Sequence, residues 1–467
     1  MKITHIAHAC ILVEAGGVTI LSDPWWKGPC FGAQWWVYPR PHLAAIVDAR
    51  IDYIYISHGH HDHLHPGTLR AFAPSATILV SAHTGLTRSL QELGFEVIEV
   101  GENEAVKLGD SGVECRILPT HGDDTLMTLT DGSSVCVNIN DALHSAPDDV
   151  QARFIERLGN LHPQIDYLFC GYGVASHFPN CYVIPGKDHE QTALKRQQYF
   201  NRKWAMLMHG LNTRFAFPFA ADVIFLEKDL FWANKVTHNG ERPGTAFQLL
   251  YPDSSVEVID IAPGFTIENG KITNPVLRVP LDDSAITQGY SEEIARANRY
   301  GSADAAQIAE VKLLLEQNLA AWGDYLLDFP DDYRFLIRFR GGDHGIAVIK
   351  RGRKILLQEM RTINALDYDV IYTTRVSYLK WAMTQAFGDE ILFVGSGGIF
   401  EFRDQRDAIR NLHRELIHLL KKPDSKKSVR RKLKPYFFRR SKEVVKKLLG
   451  RQEMDLYDLA TWTVFSK

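Results

Sequence analysis

The stretch from Ser57 to His63 concentrates metal-binding side chains on one short segment. His58, His60 and His63 offer imidazole nitrogens, and Asp62 offers a carboxylate beside them. Imidazole together with carboxylate suits zinc, iron or manganese at a site that keeps one position open for water. A solvated histidine-rich turn is the structural alternative, but the spacing His-x-His-x-Asp-His is far more specific than a single pair of histidines.

The residues around this segment predict that it lies at the edge of a sheet. Residues 51–56 are apolar or β-branched over the length of a strand, and residues 68–72 begin like a short helix. Upstream, residues 2–13 and 18–21 predict a hairpin about Gly16-Gly17. The metal-binding segment would then follow a buried strand, where α/β proteins usually carry their sites.

The spacing of His58, His60, Asp62 and His63 resembles the metal loop of the metallo-β-lactamase superfamily. The resemblance implies an α/β fold, the αβ/βα sandwich, with one or two divalent metal ions at the sheet edge. It also implies that His58 and His60 bind the first ion and that Asp62 and His63 bind the second. Asp62 is in addition the candidate catalytic residue, because its carboxylate could orient or deprotonate a metal-bound water.

Further motifs narrow the resemblance to one branch of that superfamily. Asp-Pro-Trp is followed by Gly-Pro, Phe-Gly and Trp-Trp, and the metal loop is followed by Leu-x-Pro-x-Thr-Leu. These motifs are similar to the branch that contains CMP-N-acetylneuraminate hydroxylase and, more distantly, N-acylphosphatidylethanolamine phospholipase D. The similarity extends over roughly residues 5–240 and is strongest near residues 20–72.

The resemblance implies further site residues outside the metal loop. His121, at the end of a strand, is a further metal ligand, and Asp141 is the carboxylate that bridges two ions. Asp23 orients the metal loop by hydrogen bonding, and His8 lies close to it in sequence as a second supporting residue. The structural alternatives are a helix cap for Asp141 and a core histidine for His8.

The chain departs from the superfamily pattern where most members carry their last metal histidine. Pro218 occupies that position here, and no histidine follows until His238. The candidate ligands or substrate contacts that remain are His177, Asp222 and His238, with Glu227 as a further candidate ligand. The second ion is held by one of these or is absent, and the sequence does not choose between these alternatives.

Four tryptophans lie within twelve residues, interleaved with glycine and proline. They are Trp25, Trp26, Trp35 and Trp36. This composition predicts a stiff aromatic loop directly after Asp23, either as a wall of the metal cleft or as a plug over the sheet.

A length of 467 residues predicts two domains and a tail. Residues 1–280 form the predicted metallo-β-lactamase-like catalytic domain. Residues 290–420 predict a smaller α+β domain, with a helix over 304–327, strands between 333 and 373, a helix over 376–386 and a strand at Ile391–Val394. That layout faintly resembles sterol-carrier-like domains, and a packing or dimerisation domain is the alternative.

Composition excludes several classes of protein. The chain is 45% hydrophobic and 23% charged, an ordinary globular balance, and no apolar run reaches the ~18 residues of a membrane span. It shows no signal-peptide pattern. Six cysteines without a Cys-x-x-Cys pair predict buried free thiols in a reducing compartment. The expected location is therefore cytoplasmic.

Residues 421–467 form a basic tail on a chain whose net charge is −3. Residues 421–451 carry fourteen Lys and Arg against two acidic residues, beside a Tyr-Phe-Phe cluster. Such a segment suits an anionic membrane surface, which would make the protein peripheral at the inner face of the membrane. No nucleic-acid partner is expected, because no recognised motif accompanies the charge. A solvated tail packed on its own domain is the alternative.

These observations favour a metal-dependent hydrolase, with zinc as the first choice of metal. Its substrate would be an ester or phosphoester, either a small molecule or lipid-like, of amphipathic or sugar-phosphate character. The alternative is a non-haem iron hydroxylase resembling the branch above. It would need a separate electron-transfer partner, because the sequence lacks the Cys and His pairs of a Rieske cluster. A non-catalytic metal- or lipid-binding scaffold is the third hypothesis.

Overall fold

The computed structural model describes residues 1–120, 123–173, 176–322, 329–385, 387–406, 408 and 419–422. The chain divides into two compact units. The first comprises Met1–Val174, Gln197–Leu226 and Phe231–Tyr290, and the second comprises Ala175–Arg196, Glu227–Leu230 and Ser291–Lys467. Two short segments from within the predicted first domain therefore group with the second unit.

The strands, in chain order, are β1 (Lys2–Ala7), β2 (Cys10–Ala15), β3 (Val18–Ser22), β4 (Trp36–Val37), β5 (Tyr53–Ile56), β6 (Thr77–Ser81), β7 (Glu96–Val100), β8 (Val106–Lys107), β9 (Glu114–Pro119), β10 (Thr125–Thr130), β11 (Val135–Asn140), β12 (Tyr167–Gly171), β13 (Tyr182–Val183), β14 (Phe215–Phe219), β15 (Val223–Ile224), β16 (Glu257–Val258), β17 (Thr266–Glu268), β18 (Lys271–Asn274), β19 (Arg334–Phe339), β20 (Gly345–Arg351), β21 (Lys354–Met360), β22 (Val370–Thr374) and β23 (Gly398–Phe402).

The helices are α1 (Pro66–Leu69), α2 (Thr87–Glu92), α3 (Asp148–Leu161), α4 (His189–Leu211), α5 (Phe231–Asn239), α6 (Pro243–Leu250), α7 (Asp283–Gly289), α8 (Ser291–Ala297), α9 (Ala305–Trp322), α10 (Val376–Thr384) and α11 (Glu390–Phe393).

Two large sheets pack face to face in the first unit. One has the order β18-β17-β1-β2-β3-β5-β6-β7, and the other has the order β16-β14-β12-β11-β10-β9-β8. Ile11 and Tyr55 from the first sheet share one buried cluster with Phe169 and Phe217 from the second. Helices cover the outer face of the second sheet, and the predicted α/β sandwich is therefore confirmed.

Strand β12 is apolar throughout its length because both of its faces are covered. Tyr167 and Phe169 face the core between the sheets, whereas Leu168 and Cys170 face the cluster that includes Trp204 of α4. The strand pairs in parallel with both β11 and β14. A parallel strand covered on both faces has no solvent side, so its side chains do not alternate between apolar and polar.

The N-terminal apolar run is two strands rather than one. β1 and β2 pair antiparallel, with Lys2 opposite Glu14, and the chain reverses at His8, where φ is 36°. A second hairpin then joins β2 to β3 through Gly16 and Gly17. The amino-acid composition did not predict the turn at His8, because the residues around it are as apolar as those of the strands.

The second unit contains a six-stranded sheet in the order β13-β23-β22-β19-β20-β21. Apolar residues of α9 and α10, such as Leu315 and Leu379, share one buried cluster with Phe335 and Tyr372 of this sheet. β13, which comes from the segment at residues 175–196, pairs in parallel with β23. The layout is α+β, as predicted.

The prediction of a strand at Ile391–Val394 is wrong. These residues overlap helix α11, and the strand follows it as β23. Ile391, Leu392 and Phe393 are buried, and a short buried apolar run does not distinguish a helix from a strand.

The cysteine prediction is confirmed, since all six cysteines are buried and unpaired. None of the helices among the described residues has the length and apolar character that crossing a membrane requires. Most of the basic tail, residues 423–467, lies outside the described residues.

Candidate metal centre

The metal loop folds tightly after β5. The backbone amides of His63 and Leu64 both donate to the carbonyl of His60, at 3.1 and 2.8 Å. This turn brings His58, Asp62 and His63 back under the edge of the sheet, where all three are buried. His60 is half-buried.

Asp23 fixes the conformation of the loop from the end of β3. Its Oδ1 accepts the backbone amide of Ser57 at 2.8 Å, and its Oδ2 accepts the Ser57 hydroxyl at 2.7 Å. The same Oδ2 accepts His63 Nδ1 at 3.1 Å and the side-chain amide of Asn140. A fully buried carboxylate thus ties the loop to two neighbouring strands, which is the orienting role predicted for Asp23.

The bond from His63 to Asp23 determines what the other ring nitrogen faces. Because Nδ1 donates to Asp23, Nε2 points away from it, 3.4 Å from Asp62 Oδ2 and 3.3 Å from Asp141 Oδ2. Asp141 follows β11, so the centre combines ligands from the ends of two strands in different sheets.

His58 is oriented in a similar way. The Ser57 hydroxyl donates to Asp23 and therefore accepts from His58 Nδ1, at 2.9 Å. His58 Nε2 then lies 2.8 Å from His60 Nδ1 and 3.8 Å from Asp124 Oδ1. Two ring nitrogens from the loop therefore face each other.

Burial and charge set the protonation of the cluster. Burial lowers the pKa of both His58 and His60 to about 4, so both rings are neutral at pH 7 and keep a lone pair. Burial acts to raise the pKa of Asp141, but the charge and hydrogen bond of His63, together with His58 and His144, outweigh it and hold that pKa at about 2. Burial likewise opposes ionisation of Asp62, yet His63 keeps its pKa well below the usual range.

The surroundings of His63 favour a positive charge. Burial acts to lower its pKa, but Asp62 and Asp141 raise it well above the ordinary value. His63 Nε2, Asp62 Oδ1 and Asp141 Oδ1 are buried without a hydrogen-bond partner. Buried polar atoms rarely lack partners, and a divalent cation would satisfy all three groups at once. The residues therefore fit a metal ion, with His58, His63 and Asp141 as one ligand group.

The family comparison supports this assignment. Residues 2–154 match the family model described as "Beta-lactamase superfamily domain". The match covers 153 of the 467 residues, about a third of the chain. The matched range includes the metal loop, Asp23 and Asp141, which the fold brings together.

Two curated relatives share part of their length with this chain. A "Putative Rieske 2Fe-2S iron-sulfur protein" of Mycolicibacterium smegmatis is 26% identical over 243 residues, 49% of this chain and 45% of the relative. The "Cytidine monophosphate-N-acetylneuraminic acid hydroxylase" of Asterias rubens is 44% identical over 71 residues, 15% of this chain and 11% of the relative. The chain thus spans less than half the length of each.

Two solved structures are distantly similar. Igni18, a metallo hydrolase from Ignicoccus hospitalis, has a TM-score of 0.39 at 16% identity, covering 57% of this chain and 97% of that one. CmlA, a diiron β-hydroxylase from Streptomyces venezuelae, has a TM-score of 0.38 at 20% identity, covering 57% and 54%. These likenesses carry no information about the reaction of this chain.

Two of the candidates for the superfamily's missing histidine ligand, His238 and Asp222, have other partners in the first unit. The two ring nitrogens of His238 contact the carbonyl of Val223, at 2.8 Å, and the guanidinium of Arg278. Asp222 accepts the Tyr172 hydroxyl at 2.9 Å and pairs with Arg278 at 3.1 Å. Both side chains therefore belong to a buried structural network.

The other two candidates lie in the second unit. The ring nitrogens of His177 contact the carbonyl of Phe393 and the hydroxyl of Tyr182, at 2.9 and 3.1 Å. Glu227 pairs with Arg375 at 2.9 Å. His121, the ligand predicted at the end of β9, lies outside the described residues.

The aromatic loop packs close to the centre. Trp25 is fully buried, with its ring 5.1 Å from that of His8, and Trp35 is buried 4.9 Å from Phe31. Trp26 and Trp36 are half-buried. Trp25 thus supports the centre from inside, whereas Trp26 and Trp36 contribute to the surface of the loop.

Sequence reasoning did not identify three residues of the centre. Ser57 and Asn140 connect Asp23 to the loop and to β11, and neither has a pattern that marks it in the sequence. His144 is buried, with its Nε2 against the carbonyl of Gly173, and it follows Asp141 by only three residues. That proximity is the one sequence signal that could have found it.

Proposed function

We propose that the first unit is a metal-dependent hydrolase that cleaves an ester or phosphoester bond. The observation that carries the proposal is the convergence of His58, His63 and Asp141 beside Asp62. His63 Nε2 and one carboxylate oxygen each of Asp62 and Asp141 have no hydrogen-bond partner among the described residues. A bound divalent cation would satisfy these atoms. The superfamily domain at residues 2–154 supports the same conclusion.

The chemistry follows from the protonation of these residues. A divalent ion bound here would lower the pKa of its water towards ~7 and polarise an ester or phosphate oxygen. Asp62 is ionised, and its Oδ1 is free among the described residues to accept a hydrogen bond from the attacking water. Asp23 holds the ring of His63 in one orientation, so the ligand does not reorganise during the reaction.

A second candidate, a non-haem iron hydroxylase, is favoured by the names of the relatives. One match is called a hydroxylase and another an iron-sulfur protein, although each match covers less than half of the relative. Histidine and carboxylate ligands also suit iron. This reaction would need electrons from a separate partner, because the six cysteines of this sequence include no Cys-x-His or Cys-x-x-His motif.

We propose zinc as the metal and an amphipathic or sugar-phosphate molecule as the substrate. The half-buried Trp26 and Trp36 offer aromatic surface on the loop after Asp23, and aromatic faces suit sugars and acyl chains. The proposed location is the cytoplasm, with contact to an anionic membrane through the basic tail.

Metal analysis combined with activity tests these alternatives. The full chain is purified without added metal, its zinc and iron contents are measured, and it is assayed with bis-(p-nitrophenyl) phosphate and p-nitrophenyl esters. We expect zinc and hydrolysis. His58→Ala and His60→Ala should each lose metal and activity at least tenfold, and His83→Ala, which changes an exposed histidine, should retain both.

Other results would support a different function or a different site. A coupled iron pair with oxygen consumption in the presence of a reductase would support the hydroxylase. Stoichiometric metal without either activity would indicate a binding scaffold. Full metal content in both histidine variants would exclude the loop as the site.

A further inference from the structure

His8 occupies a strained position that two parts of the fold hold in place. Its φ of 36° is rare outside glycine, and residues in such conformations persist only where their surroundings impose them. Its carbonyl accepts the ring of His5 at 3.1 Å and the backbone amide of Ala220 at 3.2 Å. Ala220 directly follows β14, the strand where Pro218 replaces the last histidine of the superfamily.

The side chain of His8 is directed at the metal loop. The residue is 4% exposed, and its Nε2 lies 3.3 Å from Asp62 Oδ2. Trp25 packs against the ring at 5.1 Å and restricts its movement. His8 Nδ1 is buried and has no hydrogen-bond partner among the described residues. The ring therefore has one nitrogen at the loop and no competing partner on the other.

His8, Asp62 and His63 form a second group of potential ligands. One ligand atom from each lies within 4.8 Å of the others. This group shares His63 with the group formed by His58, His63 and Asp141. His63 can bind only one of the two ions, because its Nδ1 is bonded to Asp23 and only Nε2 is left. Asp141 Oδ2 lies 3.3 Å from that Nε2, and the two oxygens of its carboxylate can join the two groups.

The distances favour ligation over a simple hydrogen bond. Zinc bonds of about 2.0–2.1 Å in a tetrahedron place the ligand atoms about 3.3–3.4 Å apart. The separations are 3.3 Å from His8 Nε2 to Asp62 Oδ2 and 3.4 Å from His63 Nε2 to the same oxygen. A charge-assisted hydrogen bond between such groups would be shorter, about 2.7–2.9 Å.

The other candidates in the first unit do not offer a ligand atom as readily. Pro218 has no ligand atom, and the nitrogens of His238 contact Val223 and Arg278. Asp222 is neutralised by Arg278 and Tyr172. His8 combines burial, an unpartnered nitrogen and contact with the loop.

We propose that His8 is a ligand of a second metal ion, together with Asp62, His63 and Asp141. In this chain the turn between β1 and β2 would supply the nitrogen that the superfamily pattern places at the position of Pro218 in β14. The inference rests on the proposed function only in requiring that the loop binds metal.

Cobalt titration of the full chain tests the proposal. Metal-free wild type, His8→Gln and His8→Asn are titrated with Co²⁺ and followed by visible absorption. Glutamine keeps an amide donor within reach of Asp62, and asparagine tolerates the positive φ. We expect two equivalents in the wild type. In both variants the first equivalent should bind as in the wild type, and the second should bind at least a hundredfold more weakly.

A second measurement separates a ligand from a positioning residue. In the proton NMR spectrum of the cobalt-loaded wild type, each ligating imidazole with an N–H contributes a strongly shifted exchangeable signal. The His8 variants should lose one such signal. His162→Gln is the matched control, because the His162 ring pairs with the Thr128 hydroxyl at 3.1 Å and lies outside the centre.

The outcomes distinguish the two proposals. Two equivalents and an unchanged set of shifted signals in His8→Gln would overturn the role of His8 and leave the proposed function standing. A wild type that binds only one equivalent would overturn it as well. A wild type that binds no metal would overturn both, and far-UV circular dichroism of each variant excludes misfolding as the cause of a loss.

Discussion

At the scale of single residues, the centre depends on carboxylates that orient histidines. Asp23 accepts bonds from Ser57, His63 and Asn140 while it is fully buried. A buried carboxylate is costly unless several donors surround it, and here the donors are the groups that must be positioned. Each bond therefore both stabilises the charge and fixes a ring nitrogen or a strand end.

Two buried aspartates should respond differently to neutralisation. Asp141→Asn is expected to reduce metal affinity at least tenfold, because its carboxylate faces His63 at 3.3 Å. Asp222→Asn should keep its metal but lose about 3 kcal/mol of unfolding free energy, because Arg278 would remain buried beside a neutral group. Metal titration and denaturant unfolding of both variants provide the measurement.

Equal losses of metal in the two variants would contradict this assignment. A loss in Asp222→Asn alone would show that Asp222 is the ligand and that the network with Arg278 reorganises when metal binds. The retained fold of each variant is checked by the unfolding curve itself.

At the scale of elements, the ligands lie where strands end. The metal loop follows β5, Asp23 follows β3 and Asp141 follows β11. Strand ends at one edge of packed sheets are rigid and close together, yet their side chains need not fill the core. This explains how residues 118 positions apart in sequence come to support the same centre.

Gly171, at the end of β12, provides room for the Asp141 carboxylate. A Cβ at this position would lie 2.7 Å from Asp141 Oδ1 and 2.9 Å from the carbonyl of Asn140. Gly171→Ala should therefore displace the carboxylate and weaken metal binding about tenfold without removing any ligand. Gly159→Ala in α3, where a Cβ meets nothing within 4 Å, is the control, and equal affinities would refute the prediction.

Helix α5 carries a histidine whose burial couples stability to pH. Burial lowers the pKa of His238 to about 4, and the charge of Arg278 beside its Nδ1 acts in the same direction. The pKa of His238 is lower in the folded state than in the unfolded state. The neutral ring therefore contributes fully to the free energy of unfolding above pH 6.5, and this contribution is lost as the pH falls towards 4. The loss amounts to about 3 kcal/mol for a shift from 6.5 to about 4.

His238→Gln should remove that contribution to the pH dependence. Glutamine keeps a donor for Val223 but does not titrate. Denaturant unfolding of the metal-free chain between pH 4.5 and 7 should show a shallower decline in the variant than in the wild type. An unchanged decline would mean that His238 is protonated equally in the folded and unfolded states. His83→Gln, at an exposed position, is the control.

At the scale of the whole molecule, the second unit is assembled from separate parts of the chain. Residues 175–196 supply β13 to its sheet, and the last described residues complete its core. Leu419 and Leu420 are buried, and the Asn318 side chain donates to the carbonyls of Leu419 and Lys421. Residues 419–421 are therefore structural, and a functional test of the tail should begin after residue 422.

Removal of residues 423–467 should weaken binding to anionic vesicles and leave metal binding intact. A basic residue near an anionic leaflet contributes ~1 kcal/mol, and the attraction fades as salt shortens the screening length. Co-sedimentation with phosphatidylserine vesicles at low and high salt measures the difference. A full-length variant replaces the five Lys and Arg between residues 426 and 432 with Gln. It separates the effect of the tail's charge from the effect of its length. Equal pelleting of all forms would contradict a membrane role.

By itself the sequence determined the α/β class, and it predicted the metal loop and the supporting role of Asp23. Both kinds of inference need only neighbouring residues in the sequence. A buried strand has a continuous apolar sequence, and metal-binding side chains at a fixed spacing keep their chemistry in any fold. The buried free cysteines were predictable for the same reason.

Only the tertiary structure decided which distant residues complete the centre. His8 and Ala220 meet because the turn between β1 and β2 lies against the end of β14, and no local pattern records a contact across 212 positions. The same holds for His238, whose neighbours in space occupy both ring nitrogens. The strand predicted at residues 391–394 became a helix because packing, rather than propensity, sets the form of a short buried run.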